Sequence, residues 1–280
     1  MALTQDELTM LREKARQARK DIVDVTAWSG GAHIGGALSV TDILIILYHK
    51  YLNIDSANPQ WEDRDRVVLS KGHAGVGYAA VLARKGYFDF DLLKSFNKFK
   101  SPFGMHLDGL KVKGVDVSTG SLGHGLPIGV GLALGARLQK KNWYTYCILG
   151  DGECNEGSIW EAAMSAAKWK LDNLTVIMDR NNLQNDTYVD ELMPIEPVAD
   201  KWRAFGWHVL EIDGHDMDAV VQALESSKAS KEGPTIIIAH TIKGKGVSYM
   251  ENVCEWHGKA PSQDQARDAL DEIRRCSSES

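Results

Sequence analysis

The sequence predicts an α/β fold, a mostly parallel sheet with helices on both faces. Three observations predict it. Short apolar runs at 66–73, 144–149, 174–178, 207–212 and 235–240 alternate with longer helical patterns. The runs are apolar almost throughout, as strands covered on both sides are. Two of them break into polar residues, Gly150-Asp151-Gly152 and Asp179-Arg180-Asn181-Asn182, and ligands gather at such strand ends in parallel sheets. The 280 residues suffice for one large α/β domain, and a single domain over 1–280 is expected.

The elements follow in order. Thr4 to about Ala27 reads as a helix, with Thr4 and Glu7 spaced as a capping box. Ser39 to Lys50 is a second, more apolar helix, so residues 1–50 form a helical N-terminal segment. "RVVLSKGH" (66–73) is a strand entering a glycine-containing turn, and "GYAAVLARKGY" and "DFDLLKSFNKF" read as helices. Gly104 to Gly120 is a glycine-rich loop. "GLPIGVGLALGARLQKK" is a helix with many small residues on one side, suited to close packing. A helix from about Ser158 to Lys170 connects the strands at 144–149 and 174–178. The chain from about 262 to 280 is a polar helix or tail, with its last residues expected to fray. No internal repeat or low-complexity linker interrupts this order.

Composition narrows the function. The net charge of −6, from 38 acids and 32 bases, argues against nucleic acid or an anionic membrane as the main partner. Cys147, Cys154, Cys254 and Cys276 form no CxxC pair and no framework spacing, which suits reduced thiols in a cytoplasmic protein. The charged N-terminus has no apolar signal core, and no run reaches membrane-spanning length.

The chemistry concentrates at two strand ends. A right-handed crossover through the helix at 158–170 brings Asp151 near Asp179 and Asn181. Oxygen ligands from Asp151, Asn181 and a nearby backbone carbonyl suit Mg²⁺ or Ca²⁺, and Mg²⁺ completes its octahedron with water and phosphate oxygens. The glycines flanking Asp151 let a phosphate approach the backbone.

Gly150-Asp151-Gly152 followed by Asn181-Asn182 resembles the diphosphate-binding motif of thiamine-diphosphate enzymes. "SGGAHIGGALS", "LSKGHAG", "STGSLGHG" and "ENVCEWHGKAP" narrow the resemblance to the transketolase family, in that family's order and over residues 29–260. A whole transketolase is more than twice this length and adds a pyrimidine-binding and a C-terminal domain. The chain therefore resembles the N-terminal subunit of a split transketolase, completed by a C-terminal subunit in an α2β2-type heterotetramer.

The resemblance implies thiamine diphosphate with Mg²⁺ (or Ca²⁺) held by Asp151, Asn181 and the Leu183 carbonyl, and Gly152 beside the diphosphate. It places Gly120, Ser121 and Leu122 along the aminopyrimidine ring, His73 at the diphosphate, and His257 at both cofactor and substrate. His33 and His106 would reach the hydroxyls of a sugar or sugar phosphate. His106 departs from the pattern, because the family carries a proline after that histidine and this chain reads "FGMHLDG". Glu156 would sit at the interface with the partner chain, and Asp179 would support the site from behind. The implied reaction transfers a two-carbon ketol unit from a ketose to an aldose, and imidazoles suit its proton transfers near neutral pH. The glutamate that activates the cofactor in this family has no counterpart here and is expected from the partner. A component of a 1-deoxyxylulose-5-phosphate synthase-like ligase and a non-catalytic regulatory homologue are the alternatives. His49, His124, His208, His215 and His240 read as structural, with His124 inside the glycine loop as the possible exception.

Overall fold

The structure is a computed structural model, and it describes residues 3–275. Five strands form one parallel sheet: β1 (Arg66–Leu69), β2 (Thr145–Gly150), β3 (Leu174–Arg180), β4 (His208–Asp213) and β5 (Thr235–His240). Their order is β1-β2-β3-β5-β4, with every neighbouring pair parallel. The helices are α1 (Gln5–Ser29), α2 (Ile34–Ser39), α3 (Thr41–Ile46), α4 (Gly75–Lys85) and α5 (Gly125–Leu138). They continue with α6 (Gly157–Lys168), α7 (Val189–Leu192), α8 (Val198–Ala204), α9 (Met217–Ala229) and α10 (Gln263–Arg275).

Two apolar cores flank the sheet, as the buried strands require. On one face α1 to α4, α9 and α10 pack against Val67, Tyr146, Ile177 and Ile237. On the other, α5, α6 and α8 pack against Val68, Leu149, Met178 and Ile238, with Trp202 and Trp207 filling the layer. Alternate strand residues face opposite cores, which is the period of two expected of any strand. Helix α1 starts at the Thr4–Glu7 capping box and stops where Gly30 turns left-handed at φ 73°. Its buried Leu11, Ala15, Ala18, Ile22 and Val25 recur at helical spacing. The small side of α5 lets it press on the end of β1: a Cβ on Gly125 would lie 2.6 Å from the Ser70 Cα.

Three elements differ from the sequence reading. The helix expected over 39–50 begins earlier, because α2 winds through Gly35 and Gly36, and it ends in a wider π turn at Leu47–Tyr51. Every residue of α2 and α3 is buried, so packing overrides the poor helix propensity of glycine. "DFDLLKSFNKF" is only a 3₁₀ segment, Phe90–Ser95, since Asn97 and Lys100 take left-handed conformations that end it. The first strand stops at Leu69, and His73 stands on a 3₁₀ turn (Gly72–Ala74) that leads into α4. The expected polar C-terminal helix is α10, while the fraying expected of the last residues lies outside the described residues. Among the described residues no helix is long and apolar enough to cross a membrane.

Candidate active site

The register of the sheet explains the two polar strand ends. Gly150 of β2 lies beside Asp179 of β3, and Asp179 beside Ala239 of β5. Asp151, Asn181 and the turn after β5 therefore emerge together at the carboxyl edge of the sheet. A cavity of about 280 Å³ lies there, and Asp151, Gly152, Asn181 and Leu183 line it.

The four histidines singled out in the sequence meet in the same cavity, although the first and last (33 and 257) are 224 positions apart in the chain. The His33 ring lies 5.4 Å from that of His73, 5.9 Å from His106 and 5.3 Å from His257, and His73 stacks on His257 at 5.3 Å. Burial, then the charge of Lys71, holds His73 well below the usual imidazole range. Burial, then Lys243, pushes His257 down to about 3. Burial, then His106, lowers His33. These three imidazoles are neutral near pH 7, so each has one bare nitrogen, and that of His257 faces the Lys243 ammonium.

Gly120 and Leu122 also line the cavity. Ser121 and Glu156 do not; both are exposed, and Glu156 packs beside Gly123 at the start of α6. His124 is likewise exposed.

Asp151 is buried. Its Oδ1 accepts from the Gly152 N–H at 2.8 Å, and its Oδ2 from the Asn182 N–H at 2.6 Å and from Arg180 Nη1 at 3.2 Å. Burial, then the neighbouring Asp179, raises its pKa. Asp179 is wholly buried and accepts from Ser39 Oγ at 2.6 Å, from Asn181 Nδ2 at 3.3 Å, from the Lys71 ammonium and from Thr241 Oγ1. Burial raises the Asp179 carboxyl, but Lys71 and these hydrogen bonds outweigh it and hold it below the usual range.

Five further polar residues in the cavity wall were not singled out in the sequence. Lys71 is 1% exposed and also donates to the Gly36 carbonyl at 3.0 Å. Lys243, equally buried, reaches the Gln184 carbonyl at 2.6 Å and His257 Nδ1 at 2.8 Å. Burial, then the charge of Lys71, lowers Lys243 to about 8. Glu153 accepts from the N–H groups of Gly123 (2.9 Å) and Gly150 (3.1 Å) and so ties the glycine loop to the end of β2. The remaining two are Gln184 and Asn185. Lys71 lay inside "LSKGHAG", and Lys243 just beyond the strand end at 240, so the rule that found Asp151 could have found both.

The wall fits a metal-bound diphosphate. Two buried ammonium groups provide positive charge, one carboxylate with an amide and a backbone carbonyl provides hard oxygen donors, and Gly152 lines the same wall with the Gln184 side chain packed over it, where a Cβ would lie 2.8 Å from Gln184 Cγ. His33 Nδ1 and Gln184 Nε2 are buried without a hydrogen-bond partner, as groups awaiting a ligand would be.

A parallel sheet with this strand-end pocket defines an α/β protein that binds its ligand at the carboxyl edge, and the family described as "Transketolase, thiamine diphosphate binding domain" matches residues 11–273. The chain belongs to the transketolase family and supplies its N-terminal, cofactor-binding part. It is 42% identical to the 6-deoxy-6-sulfo-D-fructose transketolase subunit SqwG of Clostridium sp. (strain MSTE9), over 95% of this chain and 96% of that protein. It is 39% identical to an apulose-4-phosphate transketolase subunit of Phocaeicola vulgatus, over 95% of each. Human transketolase is 35% identical over 96% of this chain, which spans only 43% of the human protein. The crystal structure of transketolase from Campylobacter jejuni superposes with a TM-score of 0.88 at 31% identity, over 97% of this chain and 43% of that one.

Proposed function

We propose that this chain is the cofactor-binding subunit of a two-subunit transketolase that moves a two-carbon ketol unit from a ketose to an aldose, both anionic sugars such as phosphates. The observation that carries the reading is the convergence of Asp151, Asn181, Leu183, two lysines and four histidines on one cavity at the sheet edge. Asp151, Asn181 and the Leu183 carbonyl hold Mg²⁺, with Ca²⁺ as an acceptable substitute. Lys71, Lys243, His73 and the Gly152 backbone receive the diphosphate. Gly120, Ser121 and Leu122 lie along the aminopyrimidine ring. When bound, thiamine diphosphate supplies the electron sink for carbon–carbon cleavage. His33, His106 and His257 hold the sugar hydroxyls, and a neutral imidazole among them accepts the proton of the C3 hydroxyl as the bond breaks.

The partner is a C-terminal transketolase subunit carrying the pyrimidine-binding domain and the cofactor-activating glutamate, in an α2β2 assembly in the cytoplasm. Support for its docking face comes from α5 and α6. The outer stripe of α5 runs His124, Ile128, Gly131, Gly135 and Leu138, beside the outward Met164 of α6. Ile128, Leu138, Met164 and Trp169 are 39%, 77%, 53% and 51% exposed, an apolar surface that a covering chain would bury. Glu156 and Ser121, both exposed, then contact the partner or the cofactor across the joint. Tagged chain captured from its host with Mg²⁺ and thiamine diphosphate tests this: a stoichiometric partner and ketol transfer in the eluate support the reading. Pyruvate as donor in place of a ketose, giving a deoxy sugar product, would support the 1-deoxyxylulose-5-phosphate synthase-like alternative instead.

A further inference from the structure

His215 lies outside the cavity, in the turn between β4 and α9, yet two polar groups from separate elements hold its ring, and a third braces one of them. Its Nε2 accepts from the Ile242 N–H at 2.9 Å. Its Nδ1 lies 2.7 Å from Asp42 Oδ2 of α3. Asp42 in turn receives both guanidinium nitrogens of Arg19 from α1, at 3.0 and 2.6 Å, and Arg19 Nε donates to the Lys245 carbonyl at 3.1 Å. The side chains of His215, Asp42 and Arg19 are only 13%, 6% and 12% exposed. The backbone N–H of Ile242 can only donate. Nε2 must therefore be the bare nitrogen, and the proton sits on Nδ1, donated to Asp42.

The residue after Ile242 is Lys243, whose ammonium group enters the cavity. The turn that carries it is held by this His215 contact, by Arg19, and by the Gly244 N–H on the Gly35 carbonyl at 3.0 Å. Thr241, at its start, contacts Asp179. We infer that His215 is a positioning residue: as the Nδ1-protonated neutral tautomer, buttressed by Asp42 and Arg19, it fixes the turn that delivers Lys243 to the anion-binding wall of the cavity. This rests on the reading of that cavity as a diphosphate site, but the locked tautomer itself does not.

Two measurements test it separately. Long-range ¹H–¹⁵N spectra of histidine-labelled chain, with His215 assigned by its loss in His215→Gln, should show Nδ1 protonated and Nε2 bare near pH 7. The Nε2-protonated form would overturn the inference whatever the cavity binds. A double-mutant cycle on thiamine diphosphate affinity, in the assembled complex, then tests the link to Lys243. His215→Ala should weaken binding by about tenfold, the scale of one lost hydrogen bond. His215→Gln, whose side-chain oxygen can still accept from Ile242, should stay within about threefold. In a Lys243→Met background His215→Ala should add almost nothing, because the group it positions is gone. An equal loss in both backgrounds would mean that His215 supports the fold generally, and would overturn the inference. Absence of thiamine diphosphate binding by the wild-type complex would instead refute the cavity reading and leave the tautomer result standing.

Discussion

Asp179→Asn isolates the buried centre of the site. The substitution keeps the shape but removes the charge that faces the Lys71 ammonium, with both side chains at most 1% exposed. Removing one partner of a buried ion pair leaves the other charge unpaired, at a cost of about 3–5 kcal/mol. Ser39 donates to Oδ2 and Thr241 to Oδ1, so the single amide oxygen keeps only one of these acceptor contacts, and the loss should reach at least the lower end of that range. For a chain of this size each kcal/mol lowers Tm by about 2–4 °C, so a drop of about 6–12 °C is expected without cofactor. Urea unfolding followed by tryptophan fluorescence should give the same loss at constant slope. The double variant Lys71→Met with Asp179→Leu removes both charges and should recover much of the stability, since apolar replacements of buried pairs are often neutral. It should not recover cofactor binding, because Asn181 loses its anchor and the cavity loses an ammonium group. The pH dependence has a fixed sign. The Asp179 carboxyl is held below its ordinary value, so the pair stabilises fully above about pH 4 and its contribution is lost as pH falls through the lower folded value. Asp179→Asn within about 1 kcal/mol of wild type would refute the reasoning.

Three further outcomes are expected. Affinity for the anionic cofactor should be constant below about pH 8 and decline above it as Lys243 loses its proton, and Lys243→Met should flatten that decline in a calorimetric titration. Folding stability should fall as pH drops below about 6.5, because the unfolded chain binds protons that His49 and His257 refuse until about 4 and about 3 in the folded state, which acid titration of the unfolding midpoint would show. Gly131→Leu should leave the isolated chain at least as stable, since a Cβ there meets open space and leucine favours helix over glycine by about 0.5–1 kcal/mol, yet it should abolish co-elution with the partner in size-exclusion chromatography.

The parallel sheet and the acid between two glycines were legible because both follow local rules. Apolar runs of strand length must be buried, and polar residues at the carboxyl ends of parallel strands mark a ligand site. What stayed hidden depends on the fold. Lys71 and Lys243 were not singled out, and only the fold shows that both are buried in the cavity wall, each just past the carboxyl end of its strand, β1 and β5. His215 read as a structural histidine because its partners, Asp42 and Arg19, lie 173 and 196 residues earlier in the chain. The helix through Gly35 and Gly36 was invisible to propensity, since its stability comes from complete burial. The glycine loop was legible as a motif, but only the structure shows that Glu153 ties it to β2.

The most direct test is ketol transfer from a ketose phosphate to an aldose phosphate, with Mg²⁺ and thiamine diphosphate, by rigorously pure chain alone and after addition of its C-terminal partner. The account predicts turnover only in the mixture, saturating at one partner per chain and abolished by Asp151→Ala. Robust turnover by the chain alone, or a competent mixture indifferent to Asp151→Ala, would contradict it.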